Sequence, residues 1–217
     1  MRRAPVLVEA CVTSPEEAVD CFDAGAERVE LCRALNVGGL TPAPEAVTAT
    51  LSGAPGPVHV LARTSADTFR LGPDERRALV EEVASLVALG VDGVVIGALD
   101  ETGRVDRAAL EELTSAAEGA SVTFHRAFDQ VDHPLREVEA LVEAGVDRVL
   151  TSGGAATAWE GRSTLRALVE RSGHALTVLA GGRVRGEHVC RLVEETGLRE
   201  VHARASAVPG LLEALPA

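Results

Sequence analysis

Ala24-Gly25-Ala26-Glu27-Arg28-Val29 returns three times along the chain, as Leu89-Gly90-Val91-Asp92-Gly93-Val94, Ala144-Gly145-Val146-Asp147-Arg148-Val149 and Thr196-Gly197-Leu198-Arg199-Glu200-Val201. Each copy holds a glycine where an amphipathic run stops and a short apolar run starts, as at a helix C-terminus passing into a strand. The copies stand roughly 50–65 residues apart, the length of two β/α units at about 30 residues each. Four such pairs make eight units. The pattern predicts an α/β chain folded as a (β/α)8 TIM-like barrel.

Outward from the repeat, apolar runs predict strands near 6–12, 28–32, 57–63, 93–97, 120–126, 147–151, 175–180 and 199–203. Runs of helical period predict helices over 14–24, 43–51, 74–89, 106–118, 134–144, 159–171 and 186–196. Ser14-Pro15-Glu16-Glu17 is a helix start, with a serine N-cap, proline at N1 and early carboxylates. Only a short stretch after Ser206 is left for the eighth helix, which is therefore truncated. At 217 residues the chain is slightly short for this architecture, which typically takes about 250. No linker or low-complexity segment interrupts it, so one domain over 1–217 is expected. A doubly wound open sheet competes, but the regular alternation and the lack of an early GxGxxG speak against it.

Composition removes several function classes. The apolar 46% is Ala, Val and Leu, with four Phe, one Trp and no Tyr. A formal charge of −12 argues against a basic nucleic-acid surface. All 21 basic residues are arginine. Without lysine, Schiff-base chemistry is excluded, pyridoxal phosphate with it, and no nucleotide cofactor is expected. Cys11, Cys21, Cys32 and Cys190 show no CxxC spacing. Met1-Arg2-Arg3-Ala4-Pro5 runs into a strand without a signal-peptide core, and no apolar run approaches the ~18 residues of a membrane helix. These features predict a cytoplasmic protein with free thiols and no membrane partner. The short C-terminus predicts uncovered apolar barrel surface, hence a homo-oligomer.

Alternate strand residues point into a barrel, and the last ones face its mouth. Strand one carries Glu9 and Cys11 on one face; strand two carries Glu30 and Cys32 on one face at the same spacing. In similar register, two carboxylates and two thiols would meet. Strand three offers His59 and Arg63, strand five ends in Thr123-Phe124-His125-Arg126, and strand six in Thr151-Ser152-Gly153-Gly154. Strand seven ends in Ala180-Gly181-Gly182-Arg183 and strand eight holds His202. Buried carboxylates need partners; Arg63, Arg126 and His125 are the expected ones. Gly181-Gly182 follow the strand after which many barrels bind phosphate through backbone N–H groups. His133, His174, Cys21 and Cys190 receive no role.

At these residues the chain resembles the CutC family. The matching segments include Glu9-Ala10-Cys11-Val12, Glu30-Leu31-Cys32, Gly38-Gly39-Leu40-Thr41-Pro42, Val122-Thr123-Phe124-His125-Arg126-Ala127-Phe128-Asp129, Val149-Leu150-Thr151-Ser152-Gly153 and Glu200-Val201-His202. The resemblance implies a TIM-like barrel in the cytosol linked to copper homeostasis, with Cys11 and Cys32 as Cu(I) ligands. Soft thiolates suit Cu(I). The chain departs from the family pattern at Thr64-Ser65-Ala66-Asp67-Thr68-Phe69, at Arg183 in place of a common glycine, and at Ala203-Arg204-Ala205-Ser206. The alternative is an enzyme acting on a small anionic metabolite. Glu9, Glu30, His125 and Arg126 would do acid–base work there, with Arg63, Thr151, Ser152, Gly181, Gly182 and His202 binding the ligand.

Overall fold

The computed structural model describes residues 6–216; the reading of residues 1–5 as lacking a leader lies outside them. Eight parallel strands alternate with eight helices: β1 (Leu7–Val12), α1 (Pro15–Ala24), β2 (Arg28–Leu31), α2 (Pro44–Gly53), β3 (Val58–Leu61), α3 (Pro73–Ala88), β4 (Gly93–Ile96) and α4 (Arg107–Ala116). The second half continues with β5 (Ser121–Phe124), α5 (Pro134–Glu143), β6 (Arg148–Thr151), α6 (Arg162–Ser172), β7 (Thr177–Ala180), α7 (Gly186–Thr196), β8 (Glu200–Arg204) and α8 (Val208–Ala214). The strands close in sequence order, β8 pairing back onto β1. The open-sheet alternative is thereby set aside. Short 3-10 turns stand at Leu35–Val37, Arg126–Gln130 and Ala205–Ala207; at 3–5 residues they are too short to display a periodicity.

The repeat has a mechanical meaning. In three of its copies the fourth residue is an acid that accepts a hydrogen bond from the amide at the base of the preceding strand. Glu27 Oε2 takes the Val8 N–H (3.2 Å), Asp92 Oδ2 the Val58 N–H (2.8 Å) and Asp147 Oδ2 the Val122 N–H (2.7 Å). In the fourth copy the position is Arg199, which cannot accept; there its backbone carbonyl takes the Leu7 N–H at 2.9 Å, tying the last strand to the first. Around the ring, helices are stitched by Arg76–Glu112, Arg107–Glu143 and Arg162–Glu195 ion pairs, each between consecutive helices. Ser14 caps α1 as expected, its Oγ accepting from Glu17 N–H at 3.2 Å.

One expectation is corrected. The seven-residue α8 leaves no apolar opening: it packs against β1, α1 and α7, with Val208 and Leu211 fully buried. Proline in its first turn and two well-placed apolar residues suffice to seal the gap. The exposed large apolar residues among those described are the scattered Val37, Leu89 and Leu135, so the argument for oligomerisation from uncovered surface falls. No helix among the described residues is long and apolar enough to cross a membrane.

Candidate functional site

Inside the barrel the pleat sends every second residue inward, and strand tilt staggers neighbours into layers. The lowest layer comes from the repeat itself: Arg28, Gly93, Arg148 and Glu200 stand at one repeat position on the even strands. Glu200 Oε2 accepts from Arg28 Nη2 at 2.5 Å and Arg148 Nε at 3.1 Å. Above it, Glu9 faces Arg28 on β2 and His202 on β8. Arg28 Nε donates to Glu9 Oε2, and His202 Nδ1 lies 2.7 Å from Glu9 Oε1. The expected partners of this carboxylate, Arg63, Arg126 and His125, are therefore corrected to Arg28 and His202. Barrel stagger decides which residue lies opposite, and single-strand alternation does not encode it.

These contacts set the charges. Burial raises the Glu9 pKa, but the His202 hydrogen bond and the Arg28 charge outweigh it and hold the carboxyl below its ordinary range. His202 loses from burial and gains more from Glu30 and Glu9, so its imidazolium is favoured. Burial pushes Glu30 up to about 7, with Glu9 adding to the rise and His202 and Arg28 opposing it. Glu30 Oε2 is buried and without a hydrogen-bond partner among the described residues.

The two thiols do meet, though not side by side. The register sets Cys11 opposite Glu30 on β2 and Arg204 on β8, so Cys32 stands one layer nearer the mouth. The sulfurs are 3.7 Å apart, with Cys11 Sγ 4.0 Å from Glu30 Oε1. Cys11, Glu30 and Cys32 form one compact donor group and Glu9, Glu30 and His202 another. All four cysteines are free thiols. The Cys32 hydrogen bond, burial and the Glu30 charge push the Cys11 thiol up, so Cys11 is held protonated. Leu61 and Val95 pack beside them as a small apolar collar.

Over the thiols opens a cavity of about 520 Å³ at the C-terminal ends of the strands. Among the described residues Glu30 is the one carboxylate lining it, against Arg63, Arg126, Arg183, Arg185 and Arg204. Arg63 is a clamp: it donates to the carbonyls of Val37, Gly39 and Ala66 and lies 4.6 Å over the Phe69 ring. It thus pins the altered 64–69 loop to the loop after β2. Arg126 is paired with Asp129 at 2.8 Å and reaches Ser152 Oγ at 3.2 Å. Asp129 in turn takes the Thr151 hydroxyl (2.5 Å) and the Ser152 and Gly154 amides (2.9 and 3.1 Å). The donors of Thr151 and Ser152 are therefore committed inside the protein. His125 is buried, its Nδ1 accepting from the Ala127 N–H at 3.2 Å. Burial and the Arg63 charge lower its pKa to about 3, so it is neutral. Gly97 makes room for its ring; a Cβ there would run into it.

Gly181 lies behind the rim, whereas Gly182 lines the cavity. The Gly181 N–H donates to Thr151 O at 2.9 Å, and Gly182, at φ +95°, closes against Ser152. Arg28, Arg148, Glu200, Asp129 and the rim arginine 185 had no place among the residues expected at the site, and Arg183 and Arg204 stood only within departures from the family pattern. For Arg28, Arg148 and Glu200 a signal exists, since they occupy one position of the repeat.

Residues 6–207 match the sequence model of the CutC family. A CutC family protein of Caulobacter vibrioides is 40% identical over 206 residues, covering 94% of this chain and 84% of its own length. One from Bacteroides fragilis is 37% identical over 214 residues, covering 94% and 83%. The crystal structure of a CutC from Streptococcus agalactiae, provisionally described as a copper homeostasis protein, superimposes with a TM-score of 0.85 at 29% identity, over 91% of this chain and 97% of that one. A phosphoribosylanthranilate isomerase from Thermotoga maritima shares the fold alone, with a TM-score of 0.60 at 13% identity over 96% and 97%.

Proposed function

The chain belongs to the CutC family, and from that premise we propose that it binds Cu(I) as cargo through Cys11 and Cys32 in a reducing, cytosolic setting. The observation that carries the reading is the pair of buried free thiols with sulfurs 3.7 Å apart at the floor of an open cavity. Two soft donors suit a monovalent soft ion in low coordination. A bis-thiolate holding Cu(I) has a net charge of −1, and the Arg-lined cavity with the His202 imidazolium favours that charge. Binding must displace both thiol protons, so it releases acid. Glu30, 4.0 Å from Cys11 Sγ, is placed to accept one of them.

Competition for Cu(I) against a chromogenic chelator tests this under anaerobic, reducing conditions. About one Cu(I) per chain is expected, with each of Cys11→Ser and Cys32→Ser weakening binding beyond the ~10–100-fold that losing a residue behind the ligands costs. Wild-type affinity in both variants would end the reading.

A second reading is favoured by the unpartnered, buried Oε2 of Glu30 in the same cavity: proton transfer on a small anionic metabolite. Glu30 would move the proton, with the Glu9–His202 pair setting its charge and Arg126 orienting the ligand. The readings part at Glu30→Gln, which removes proton exchange and leaves two-thiol copper binding standing.

A further inference from the structure

Several arginines on the outside of this barrel are matched to carboxylates: Arg76 to Glu112, Arg107 to Glu143, Arg162 to Glu195 and Arg166 to Glu170. At the mouth Arg126 is paired with Asp129, but three other arginines are not. Arg183, Arg185 and Arg204 are exposed, line the cavity and make no ion pair among the described residues. Arg185 has one side-chain bond, to the Val184 carbonyl at 2.8 Å. On a chain of net charge −12, three unpaired arginines around one cavity make a local excess of positive charge.

Two further observations point at the same spot. Arg183 sits at φ +56°, in the left-handed region, directly after Gly182 at φ +95°. Left-handed backbone is unfavourable for a residue with a Cβ, and such strain collects where a ligand is held. The Gly182 and Arg183 amides also make no hydrogen bond among the described residues, although the neighbouring Gly181 amide is bonded to Thr151. Two free N–H groups, the Arg183 and Arg204 guanidinium forks and the remaining Arg185 donors around one cavity form a donor set suited to a multiply charged oxyanion.

We infer that the mouth binds a small phosphomonoester, its phosphate held by Arg183, Arg185, Arg204 and the Gly182–Arg183 amides, and its neutral remainder reaching down toward Glu30. A tetrahedral dianion offers three terminal oxygens to donors converging from two loops, where a single carboxylate offers two in one plane. A cavity of about 520 Å³ lies within the range of small-molecule sites, so there is room beyond the phosphate for a sugar-sized body. This deepens the second reading, resting on it for the expectation that the cavity holds a metabolite; it needs no copper.

Isothermal titration of the full chain with inorganic phosphate, glucose 6-phosphate and glucose tests it. Saturable binding of both phosphates is expected, tighter for glucose 6-phosphate, with glucose silent. Arg183→Gly and Arg204→Gln should each weaken binding about tenfold, the loss of one charge-assisted contact, while Arg166→Gln on the outer helices leaves it unchanged. Glycine is at ease at φ +56°, so a loss in Arg183→Gly cannot be assigned to misfolding. No saturable binding of either phosphate, or equal losses in Arg166→Gln and the rim variants, overturns the inference. Failure of the acid–base reading looks different: glucose 6-phosphate bound saturably, without uptake of deuterium from D2O.

Discussion

Gly97 and His125 show how finely one position is set in this interior. A methyl group on Gly97 would occupy the space of the His125 ring, and neither strand has slack, since both are buried in the closed sheet. Gly97→Ala is expected to destabilise by about 1–3 kcal/mol, the range for overpacked cores, measured by urea unfolding. In a His125→Ala background the same change should be much smaller, because the obstructing ring is gone. Equal losses in both backgrounds would assign the effect of Gly97 to its backbone alone. At this scale the sequence is readable where period two suffices: Glu9 with Cys11 and Glu30 with Cys32 lie inward as alternation requires. It is not readable where a partner stands on a strand far off in the chain. Glu9 meets His202 across 193 positions, and the tilt of the closed sheet alone selects that residue.

At the scale of elements, two kinds of polar tie hold the barrel, and they differ in strength. The Asp92 and Asp147 carboxylates hold amides at the bases of β3 and β5 at 2.8 and 2.7 Å, partly out of water. Removing such an acceptor leaves a strand amide unanswered. Asp92→Ala and Asp147→Ala should each lower stability by about 1.5–3 kcal/mol. The Arg76–Glu112 pair between α3 and α4 is more open, with Glu112 over half exposed, and Arg76→Ala should fall within about 1 kcal/mol. Urea midpoints for the three variants give the comparison, and an Arg76 loss as large as that at Asp147 would contradict it. Helix and strand positions are nearly all legible in the sequence, because the Gly-led junctions and capping signals are local. The rim arginines are not. Arg183, Arg185 and Arg204 lie in or beside loops, where no periodicity reports which way a side chain faces.

For the whole molecule, proton linkage runs through the buried interior. Burial lowers the pKa of His59 to about 4 and that of His125 to about 3, from 6.5, and raises that of Glu30 from 4.5 to about 7. Between pH 4.5 and 6.5 the unfolded chain therefore takes up protons at both histidines that the folded chain refuses. The folded chain holds one at Glu30 that the unfolded chain lacks. From these three groups the balance is one proton more on the unfolded side, so they make stability rise with pH across this window by about 1.4 kcal/mol per unit. His188 adds to the rise and His202 opposes it near the upper end. Urea unfolding at the two ends of the window checks the slope, and His59→Gln should flatten it. A slope unchanged in that variant would remove His59 from the linkage. Order of synthesis gives the closed ring another consequence. Cys11 and Cys32 lie on or just after the first two strands, whereas Arg204, opposite Cys11 in the sheet, lies on the last. At ribosomal speed on the order of ten seconds or more separates their emergence. Through that interval the nascent chain carries two thiols that the last strand does not yet cover, open to oxidation until it docks.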